Sequence, residues 1–387
     1  MPREFPDLDT TVSEISPAEF KRRLDDGEQL TLLDTRKRSD FETWQVSHPN
    51  LTVTNVPFSE FLDDSGTEVA DEVPEGVPPG PLITCCAKGL SSKYVAEFLS
   101  REGWEVLPLE DGMRGWANLL ETHPIDSSAE TTVLQFHRPS SGCLSYLFVA
   151  DDEAAVIDPL QVFADRYADI ARSHGAELVY ALDTHVHADH VSGVREVARQ
   201  TDCAAVLPRG SNERGRQFDA RLVDDGDSVP LGSQAIDVRA LPGHTTENTG
   251  YLFEGVLAAG DTIFLDGVAR PDLEDGDAAE AAAGQLWQTL QDLDDLPEET
   301  VVAPGHVGPT TVPDDDGSFT ATLGHLRGRL RAFDESREEF VERATRDLPP
   351  QPNNYREIIA INLGQRDADP DEAFELELGP NNCAVSE

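Results

Sequence analysis

The order of apolar and polar positions divides the chain into two successive regions, in which short buried strands lead into amphipathic helices. In the first region, the apolar runs Leu30–Leu33 and Pro81–Cys85 predict buried strands. A Ser-Pro-Ala-Glu sequence that begins at Ser16 predicts a capped helix start, and Ser92 begins a second helix. Because the strands lead into helices, we expect a parallel sheet here.

The second region has more strands, and two further segments in it predict helices. Apolar runs predict strands at Thr132–Phe136, Leu144–Val149, Ala155–Asp158, Leu178–Leu182, Leu257–Ala259 and Val301–Ala303. The apolar stripe of Gln285–Leu293 predicts a core-facing helix, whereas Arg327–Arg346 predicts a charged, solvated helix. Residues 122–131 predict a linker, so we expect two domains, 12–122 and 130–387, the second with C-terminal helices.

Charge separates this chain from most soluble proteins. It has 74 acidic and 30 basic residues and a formal net charge of -44. The acidic residues are spread along the chain, which favours a solvated surface of the halophilic type over a docking surface for a basic partner. Since there is no basic stripe, we expect no binding to nucleic acid.

Cysteine use and hydropathy predict the compartment. The five cysteines, at positions 85, 86, 143, 203 and 383, form no evenly spaced framework, so reduced thiols are expected. No apolar stretch reaches the length of a membrane span, and the first residues lack the pattern of a signal peptide. We therefore expect a cytoplasmic protein without membrane contact.

The candidate chemistry lies in a histidine-rich segment directly after the predicted strand Leu178–Leu182. The segment contains His185, His187, Asp189 and His190. Three single candidates follow later in the chain: His244, Asp261 and His306. Neutral imidazole and carboxylate are ligands that Zn or Fe(II) binds, so this ordered set predicts a metal site.

Backbone geometry favours one shared site for these residues. His185 and His187 are two residues apart, so on extended backbone their side chains point to the same side. Asp189 and His190 follow where the chain must turn, so this one short segment can reach two adjacent metal positions. A glycine precedes each of the three later candidates and allows close approach of the backbone.

The pattern H-x-H-x-D-H, followed in order by a His, an Asp and a His, resembles the metallo-β-lactamase superfamily over roughly residues 130–350. The resemblance implies an αββα sandwich with the metal at one edge, between two sheets. Asp158, in the sequence Val-Ile-Asp-Pro, matches the family's first Asp, which is a supporting residue rather than a ligand. The expected fold class of the whole chain is α/β plus α+β.

The residues after Asp261 resemble the persulfide dioxygenase branch of that superfamily, where a Gly-Asp sequence leads to Gly-Arg-x-Asp. Here Arg270-Pro-Asp272 lies in this place, with Ala269 instead of the glycine. The resemblance implies one Fe(II) on a 2-His-1-carboxylate set, formed by His185, His244 and Asp261. The remaining candidates would then support that set or hold a second metal: His187, Asp189, His190 and His306.

A binuclear zinc thioesterase of the glyoxalase II type is the alternative, because it uses the same ligand types. All the candidates would then bind or bridge two Zn(II), and a metal-bound hydroxide would attack a carbonyl. The helical substrate domain of that group is not recognised in this sequence. Arg270 is expected either to bind a carboxylate of a thiol carrier, such as a glutathione-like persulfide, or to form a structural salt bridge.

The first region carries its own candidate, Cys86, which follows a buried strand and precedes a helix. Backbone N–H groups at a helix N-terminus favour a thiolate. Lys88 and Lys93 lie beside it, although the chain has only four lysines. We expect this local positive charge to lower the thiol pKa and to attract an anionic sulfur donor.

Residues 12–120 resemble a rhodanese domain. The matching features are the Leu-Leu-Asp34-Thr-Arg36 sequence, the Cys86 loop and the segment Asp111-Gly-Met-Arg-Gly-Trp116. Rhodanese loops usually carry Arg where this chain has Ser91. The resemblance implies sulfur transfer through a Cys86 persulfide, with Lys88 and Ser91 as substrate-binding residues; a docking module without transferase activity is the alternative.

Both resemblances concern sulfane sulfur, so we expect the two domains to act in one chemistry. The expected reaction oxidises a small-molecule thiol persulfide with O₂ to sulfite and thiol, coupled to a sulfurtransferase. A sulfur carrier that only relays persulfide from Cys86 to a partner is a further hypothesis. The sequence leaves open the thiol carrier, the direction of sulfur flow and the oligomeric state, including a homodimer.

Overall fold

The computed structural model describes residues 12–63, 70, 72–126, 131–274, 276–308, 310–346, 348, 350–378 and 384–386. The chain forms two units within this range. One runs up to Leu119 and includes Pro139–Ser141, and the other contains Leu120–Arg138 and the chain from Gly142 onward.

Four parallel strands form the sheet of the first unit. They are β1 (Leu30–Asp34), β2 (Leu51–Asn55), β3 (Leu82–Cys85) and β4 (Val106–Pro108), in the order β2-β1-β3-β4. Its helices are α1 (Pro17–Asp25), α2 (Arg38–Thr43), α3 (Leu90–Arg101) and α4 (Gly112–Ala117). The predicted parallel sheet is confirmed. The Ser16 side chain accepts a hydrogen bond from Glu19 N over 3.2 Å, which confirms the predicted cap.

Apolar side chains cover both faces of this sheet. Leu33 belongs to a buried cluster with Phe98 of α3, while its neighbour Leu32 belongs to another with Phe20 of α1 and Trp116 of α4. Successive side chains of a strand point to opposite faces, so both faces are buried here. This explains why the strands appear in the sequence as continuous apolar runs.

The second unit contains two large sheets. The strands of the first are β5 (Glu121–Ile125), β6 (Thr131–Arg138), β7 (Cys143–Ala150), β8 (Glu153–Ile157), β9 (Glu177–Leu182), β10 (Ala204–Pro208) and β11 (Arg221–Val223). The remaining strands are β12 (Ser228–Leu231), β13 (Gln234–Ala240), β14 (Thr249–Phe253), β15 (Val256–Gly260), β16 (Ile263–Phe264), β17 (Gly267–Ala269), β18 (Val301–Pro304), β19 (Ala321–Thr322) and β20 (Ala384–Ser386). The sheet orders are β11-β10-β9-β8-β7-β6-β5 and β12-β13-β14-β15-β18-β19, with a small sheet β16-β17-β20.

Helices α5 (Ala164–Ser173) and α6 (Val194–Thr201) share a buried cluster with the first large sheet, and α7 (Ala279–Asp292), α8 (Leu323–Arg329) and α9 (Arg337–Ala344) share one with the second. The last two helices, α10 (Tyr355–Asn362) and α11 (Pro370–Leu376), pack against Ala188 and Val191 of the segment after β9. Between the sheets, the rings of Phe148 and Phe253 stack with centroids 5.0 Å apart. Leu147 points the other way, into a cluster with Tyr167 of α5 and Val197 of α6. This layering is the αββα sandwich that the resemblance implied.

Two sequence predictions are wrong in detail. Residues 122–125 of the expected linker belong to strand β5, which pairs antiparallel with β6. Pro124 is tolerated there because β5 lies at the edge of its sheet. The single helix expected over Arg327–Arg346 is interrupted, because Ser336 and Glu339 form a capping box that begins α9 anew. Among the described residues, no helix is long and apolar enough to cross a bilayer.

Candidate metal centre

The ligand candidates lie where strands of both sheets end. Strand β9 leads into the segment that contains His185 and His190, β15 leads to Asp261, and β18 leads to His306. His244 lies in the loop between β13 and β14. Because β15 and β18 are parallel neighbours, their carboxyl ends deliver Asp261 and His306 to the same edge.

The glycine before each later candidate permits a close approach, as predicted. A Cβ on Gly260 would lie 2.5 Å from Thr184 Oγ1, and a Cβ on Gly305 would lie 2.4 Å from Asp261 Oδ1. A Cβ on Gly243 would lie 2.4 Å from a leucine Cβ. Gly260 and Gly243 also have φ angles of +52° and +143°. A larger residue would displace the ligands at these points.

Three predicted ligands form a buried group, here called the first cluster: His185, His244 and Asp261. Their ligand atoms lie within 4.8 Å of one another, and His244 Nε2 is 3.7 Å from Asp261 Oδ2. His185 Nε2 and Asp261 Oδ2 are buried without a hydrogen-bond partner among the described residues. Buried polar atoms are nearly always satisfied, so these two atoms fit a cation as their partner.

Hydrogen bonds fix the tautomers that ligation requires. His244 Nδ1 lies 2.9 Å from the carbonyl oxygen of Arg270 and donates to it, which leaves Nε2 as the ligand atom. His185 Nδ1 lies 2.9 Å from Thr184 Oγ1, whose own proton goes to Asp158. Burial and the charges of neighbouring imidazoles lower the pKa of His185 well below its ordinary value, so this ring is neutral.

A second buried group, the second cluster, contains Cys143, Asp189, His190 and His306. Asp189 Oδ2 lies 2.8 Å from His306 Nε2, 3.2 Å from His190 Nδ1 and 3.4 Å from Cys143 Sγ. His306 Nδ1 lies 2.7 Å from Asp261 Oδ1, so His306 joins the two clusters.

Charge holds the second cluster together. Burial would lower the pKa of His306, but the carboxylates of Asp261 and Asp189 outweigh burial and raise that pKa well above its ordinary value. Burial would raise the pKa of Asp189, yet the charges of His306 and His190 hold it well below its ordinary value. Cys143 was not among the predicted ligands, since one cysteine at the start of an apolar strand resembles a core residue.

His187 belongs by distance to a third group, with Asp158 and Asp183. Its Nε2 atom lies 3.1 Å from Asp158 Oδ1 and 3.7 Å from Asp183 Oδ1. Burial would lower its pKa, but the charge and hydrogen bond of Asp158 help to raise the pKa of His187 to about 9. Asp158 also accepts a 2.7 Å hydrogen bond from Thr184 N, which agrees with the supporting role that the resemblance implied.

The C-terminal helices hold the ligand segment in place, a role that was not predicted from the sequence. Asn362 Nδ2 donates to the carbonyl oxygens of His187 and His190 over 3.0 and 2.9 Å, and Asn362 Oδ1 accepts from Ser192 N over 2.8 Å. One available signal was an asparagine beside Ile361 on the buried side of an amphipathic helix.

Glu377 provides a second anchor. One carboxylate oxygen accepts from Val191 N over 2.8 Å, and the other accepts from Arg138 Nη1 over 2.7 Å. Both charged side chains are 1% exposed, so this is a fully buried ion pair. No spacing in the sequence connects residues 138, 191 and 377.

Arg270 forms the structural salt bridge that the sequence left open as one of two roles. Its guanidinium is buried and donates two hydrogen bonds to Asp272, over 2.7 and 2.9 Å, and another to the carbonyl oxygen of Pro350. Its own carbonyl oxygen accepts from His244. Arg270 therefore positions a metal-ligand candidate, and its charge is already compensated by Asp272.

In the first unit, Cys86 lies directly after β3, in a loop that leads into α3. Its thiol is buried and accepts a hydrogen bond from Ser92 Oγ over 3.3 Å. Lys88 is exposed and Ser91 is half-buried, whereas Lys93 forms an ion pair with Glu14 over 3.0 Å. The positive charge expected beside the thiol is thus partly compensated.

The neighbouring Cys85 is an interior residue. Burial raises the pKa of the Cys85 thiol well above its ordinary value, so it stays protonated. A Cβ on Gly112 would lie 2.1 Å from the carbonyl oxygen of Cys86, so that glycine is required by the close packing of the Cys86 loop.

Comparisons with known proteins agree with this architecture. Residues 140–306 match the family model of the metallo-beta-lactamase superfamily, and residues 16–119 match that of the rhodanese-like domain. The chain is 29% identical to human mitochondrial persulfide dioxygenase ETHE1 over 245 residues, which cover 61% of this chain and 89% of that protein. It is 32% identical to hydroxyacylglutathione hydrolase of Methylococcus capsulatus over 256 residues, 65% of this chain and 89% of that protein.

A solved structure is similar to this chain over the same part of it. The crystal structure of ETHE1 from Myxococcus xanthus superposes with a TM-score of 0.52 at 27% sequence identity and covers 60% of this chain and 98% of that chain. The chain therefore belongs to the metallo-β-lactamase superfamily and carries a rhodanese-like domain before its metallo-β-lactamase fold.

Proposed function

We propose that the second unit is an iron-dependent dioxygenase for a small-molecule thiol persulfide. The observation that carries this proposal is the first cluster, in which two imidazoles and one carboxylate come together by distance as a group of three. Such a set leaves coordination positions open for O₂ and a substrate sulfur. The identity of 29% with human persulfide dioxygenase across 89% of that protein supports the same reaction.

The chain's own residues prepare the site for that ion. His185 and His244 would hold it through Nε2, because Thr184 and the Arg270 carbonyl occupy their Nδ1 atoms. Asp261 would hold it through Oδ2, since Oδ1 contacts His306. When bound, Fe(II) would supply the activation of O₂ beside the persulfide.

The net reaction balances as RSSH + O₂ + H₂O → RSH + SO₃²⁻ + 2H⁺. The outer sulfur of the persulfide is oxidised to sulfite, O₂ is reduced, and the thiol leaves with its proton. The first unit would then transfer sulfane sulfur through Cys86, for example SO₃²⁻ + RSSH → S₂O₃²⁻ + RSH. Its rhodanese-like fold and the placement of Cys86 at the end of β3 support this step.

Oxygen uptake tests the dioxygenase proposal. Iron-loaded protein given glutathione persulfide should consume O₂ and release sulfite, and His185→Ala should lose both. His325→Ala is the matched control, because His325 is exposed and outside the three clusters. Absence of O₂ uptake by the iron-loaded wild type would refute the proposal.

A zinc thioesterase is the second candidate, favoured by the 32% identity with hydroxyacylglutathione hydrolase. Metal analysis of protein purified without added metal separates the two. One iron per chain supports oxygenation, whereas two zinc ions per chain together with hydrolysis of a glutathione thioester would support the thioesterase.

The role of the first unit needs its own variant. Cys86→Ser should abolish thiosulfate formation and leave O₂ uptake unchanged. Cys203→Ser, in the second unit, is the control for the loss of a thiol. If Cys86→Ser forms thiosulfate at the wild-type rate, the first unit is a docking module.

A further inference from the structure

We propose that Glu247 is a positioning residue of the metal site, whose buried carboxylate fixes the segment that contains His185 against the loop that contains His244. This inference rests on the metal site of the proposed function, but not on the reaction that the metal performs there. Glu247 lies three residues after His244, in the loop between β13 and β14. Its side chain is completely buried, with 0% exposure.

One carboxylate oxygen of Glu247 binds the ligand segment. Oε1 accepts a hydrogen bond from Val186 N over 3.0 Å, and Val186 directly follows His185. A backbone hydrogen bond lies beside this contact, because Thr249 N donates to the carbonyl oxygen of Thr184 over 2.9 Å. The ligand segment is therefore held immediately before and immediately after His185.

The residue after Glu247 connects the same loop to the third member of the first cluster. The Asn248 carbonyl oxygen accepts from Leu241 N over 2.8 Å, and Asn248 Nδ2 donates to the Leu241 carbonyl oxygen over 2.9 Å. The same Nδ2 atom donates to Thr262 Oγ1 over 2.6 Å, and Thr262 directly follows Asp261. These two neighbouring residues, Glu247 and Asn248, thus join the three chain segments that carry the first cluster.

Arg214 supplies the counter-charge of the buried carboxylate. Its Nη1 atom donates to Glu247 Oε1 over 2.6 Å, and its side chain is 11% exposed. A buried carboxylate without a nearby cation is costly, so this guanidinium compensates the charge of Glu247 inside the protein. The loop that carries Arg214 packs closely on Glu247, since a Cβ on Gly210 would lie 2.6 Å from the Cβ of Glu247.

The end of helix α10 keeps Arg214 within reach of Glu247. Gln365, shortly after that end, donates through Nε2 to the carbonyl oxygens of Arg214 and Gly215 over 3.3 and 3.0 Å. Asn362, the last residue of α10, binds the backbone of the ligand segment directly. The same helix end therefore supports the ligand segment by two routes, one of which runs through the ion pair.

Fe(II) affinity tests this role without any activity measurement. The iron-loaded full chain is mixed under nitrogen with a chromogenic Fe(II) chelator, and the transfer of iron is followed by absorbance. Glu247→Ala removes the acceptor of Val186 N and should lower the affinity about 10- to 100-fold, as loss of a group that orients metal ligands typically does. Zn(II) serves as a second probe, because the inference does not depend on which metal the site takes.

Two further variants separate positioning from general stability. Glu247→Gln keeps an oxygen that accepts from Val186 N and should retain most of the wild-type affinity. Glu335→Ala is the matched control, because Glu335 is 10% exposed, forms an ion pair with Arg343 and lies outside the three clusters. It should bind metal like the wild type.

Wild-type affinity in Glu247→Ala would overturn the proposal, as would an equal loss in Glu335→Ala or in Glu247→Gln. If Glu247→Ala does not fold, Glu247→Asp decides the question. It keeps the charge but shortens the side chain by one methylene, so it should bind metal more weakly than Glu247→Gln; the reverse order would overturn the proposal. The competition involves neither O₂ nor persulfide, so failure here and failure of the dioxygenase proposal can be told apart.

Discussion

Replacement of Asn362 should destabilise the segment from His187 to Ser192, because the Asn362 side chain hydrogen-bonds the backbone of that segment. Asn362→Ala removes three hydrogen bonds and leaves the carbonyl oxygens of His187 and His190 and the N–H of Ser192 without this partner. An unsatisfied buried polar group costs about 1–3 kcal/mol. Neighbouring groups share relaxation and do not add fully. We therefore expect the free energy of unfolding of the second unit to fall by about 3–5 kcal/mol.

Asn362→Asp makes the test sharper. It keeps the acceptor for Ser192 N but places carboxylate oxygen against the two carbonyl oxygens, so it should destabilise at least as much as alanine. Unfolding in urea measures both variants, and a chelator competition measures metal affinity, which should fall about 10- to 100-fold. Asn212→Ala is the control, because Asn212 is exposed and its side chain accepts two hydrogen bonds from Arg216. Equal stability of Asn362→Ala and Asn212→Ala would refute the reasoning.

Three other perturbations follow from the structure. Gly305→Ala would place a methyl group 2.4 Å from Asp261 Oδ1, so the metal affinity should fall about 10- to 100-fold in a chelator competition. Gly276→Ala is the control and should bind metal like the wild type, because a Cβ on Gly276 has no neighbour within 4 Å. Glu377→Ala leaves the buried guanidinium of Arg138 without its carboxylate and should cost about 3–5 kcal/mol in urea unfolding, whereas a double variant with Arg138→Met should recover part of that loss. Removal of the metal by a chelator should lower the unfolding temperature of the second unit and leave that of the first unit unchanged, because a bound ion stabilises only the folded unit that binds it. Calorimetry measures both temperatures, and a shift of both would contradict this prediction.

The sequence predicted those features that depend on local patterns. Buried strands appear as apolar runs, and the glycines before Asp261 and His306 are recognisable because close approach excludes a side chain. The three residues of the first cluster were expected from the resemblance to the persulfide dioxygenase branch, and their ligand atoms lie within 4.8 Å of one another. The parallel pair β15 and β18 brings Asp261 and His306 to one edge.

Features that depend on distant pairing could not be predicted. Strand β5 carries Pro124 and polar residues, and only its position at the sheet edge makes it a strand. Cys143 reaches the second cluster because the β6–β7 turn pairs with the chain after β18, which no local pattern encodes. The hydrogen bond from Arg270 to the carbonyl oxygen of Pro350 likewise joins residues that no local pattern connects.

The anchoring of the ligand segment by Asn362 also sets an order of events during synthesis. Asn362 follows His187 by 175 residues and His190 by 172 residues. At translation rates of about 5–20 residues per second, the ribosome adds Asn362 on the order of ten seconds or more after the histidines. During this interval the ligand segment has no partner for the carbonyl oxygens that Asn362 later binds. Stable metal uptake should therefore begin only after α10 has left the ribosome, and nascent chains that stop before Asn362 should hold metal weakly.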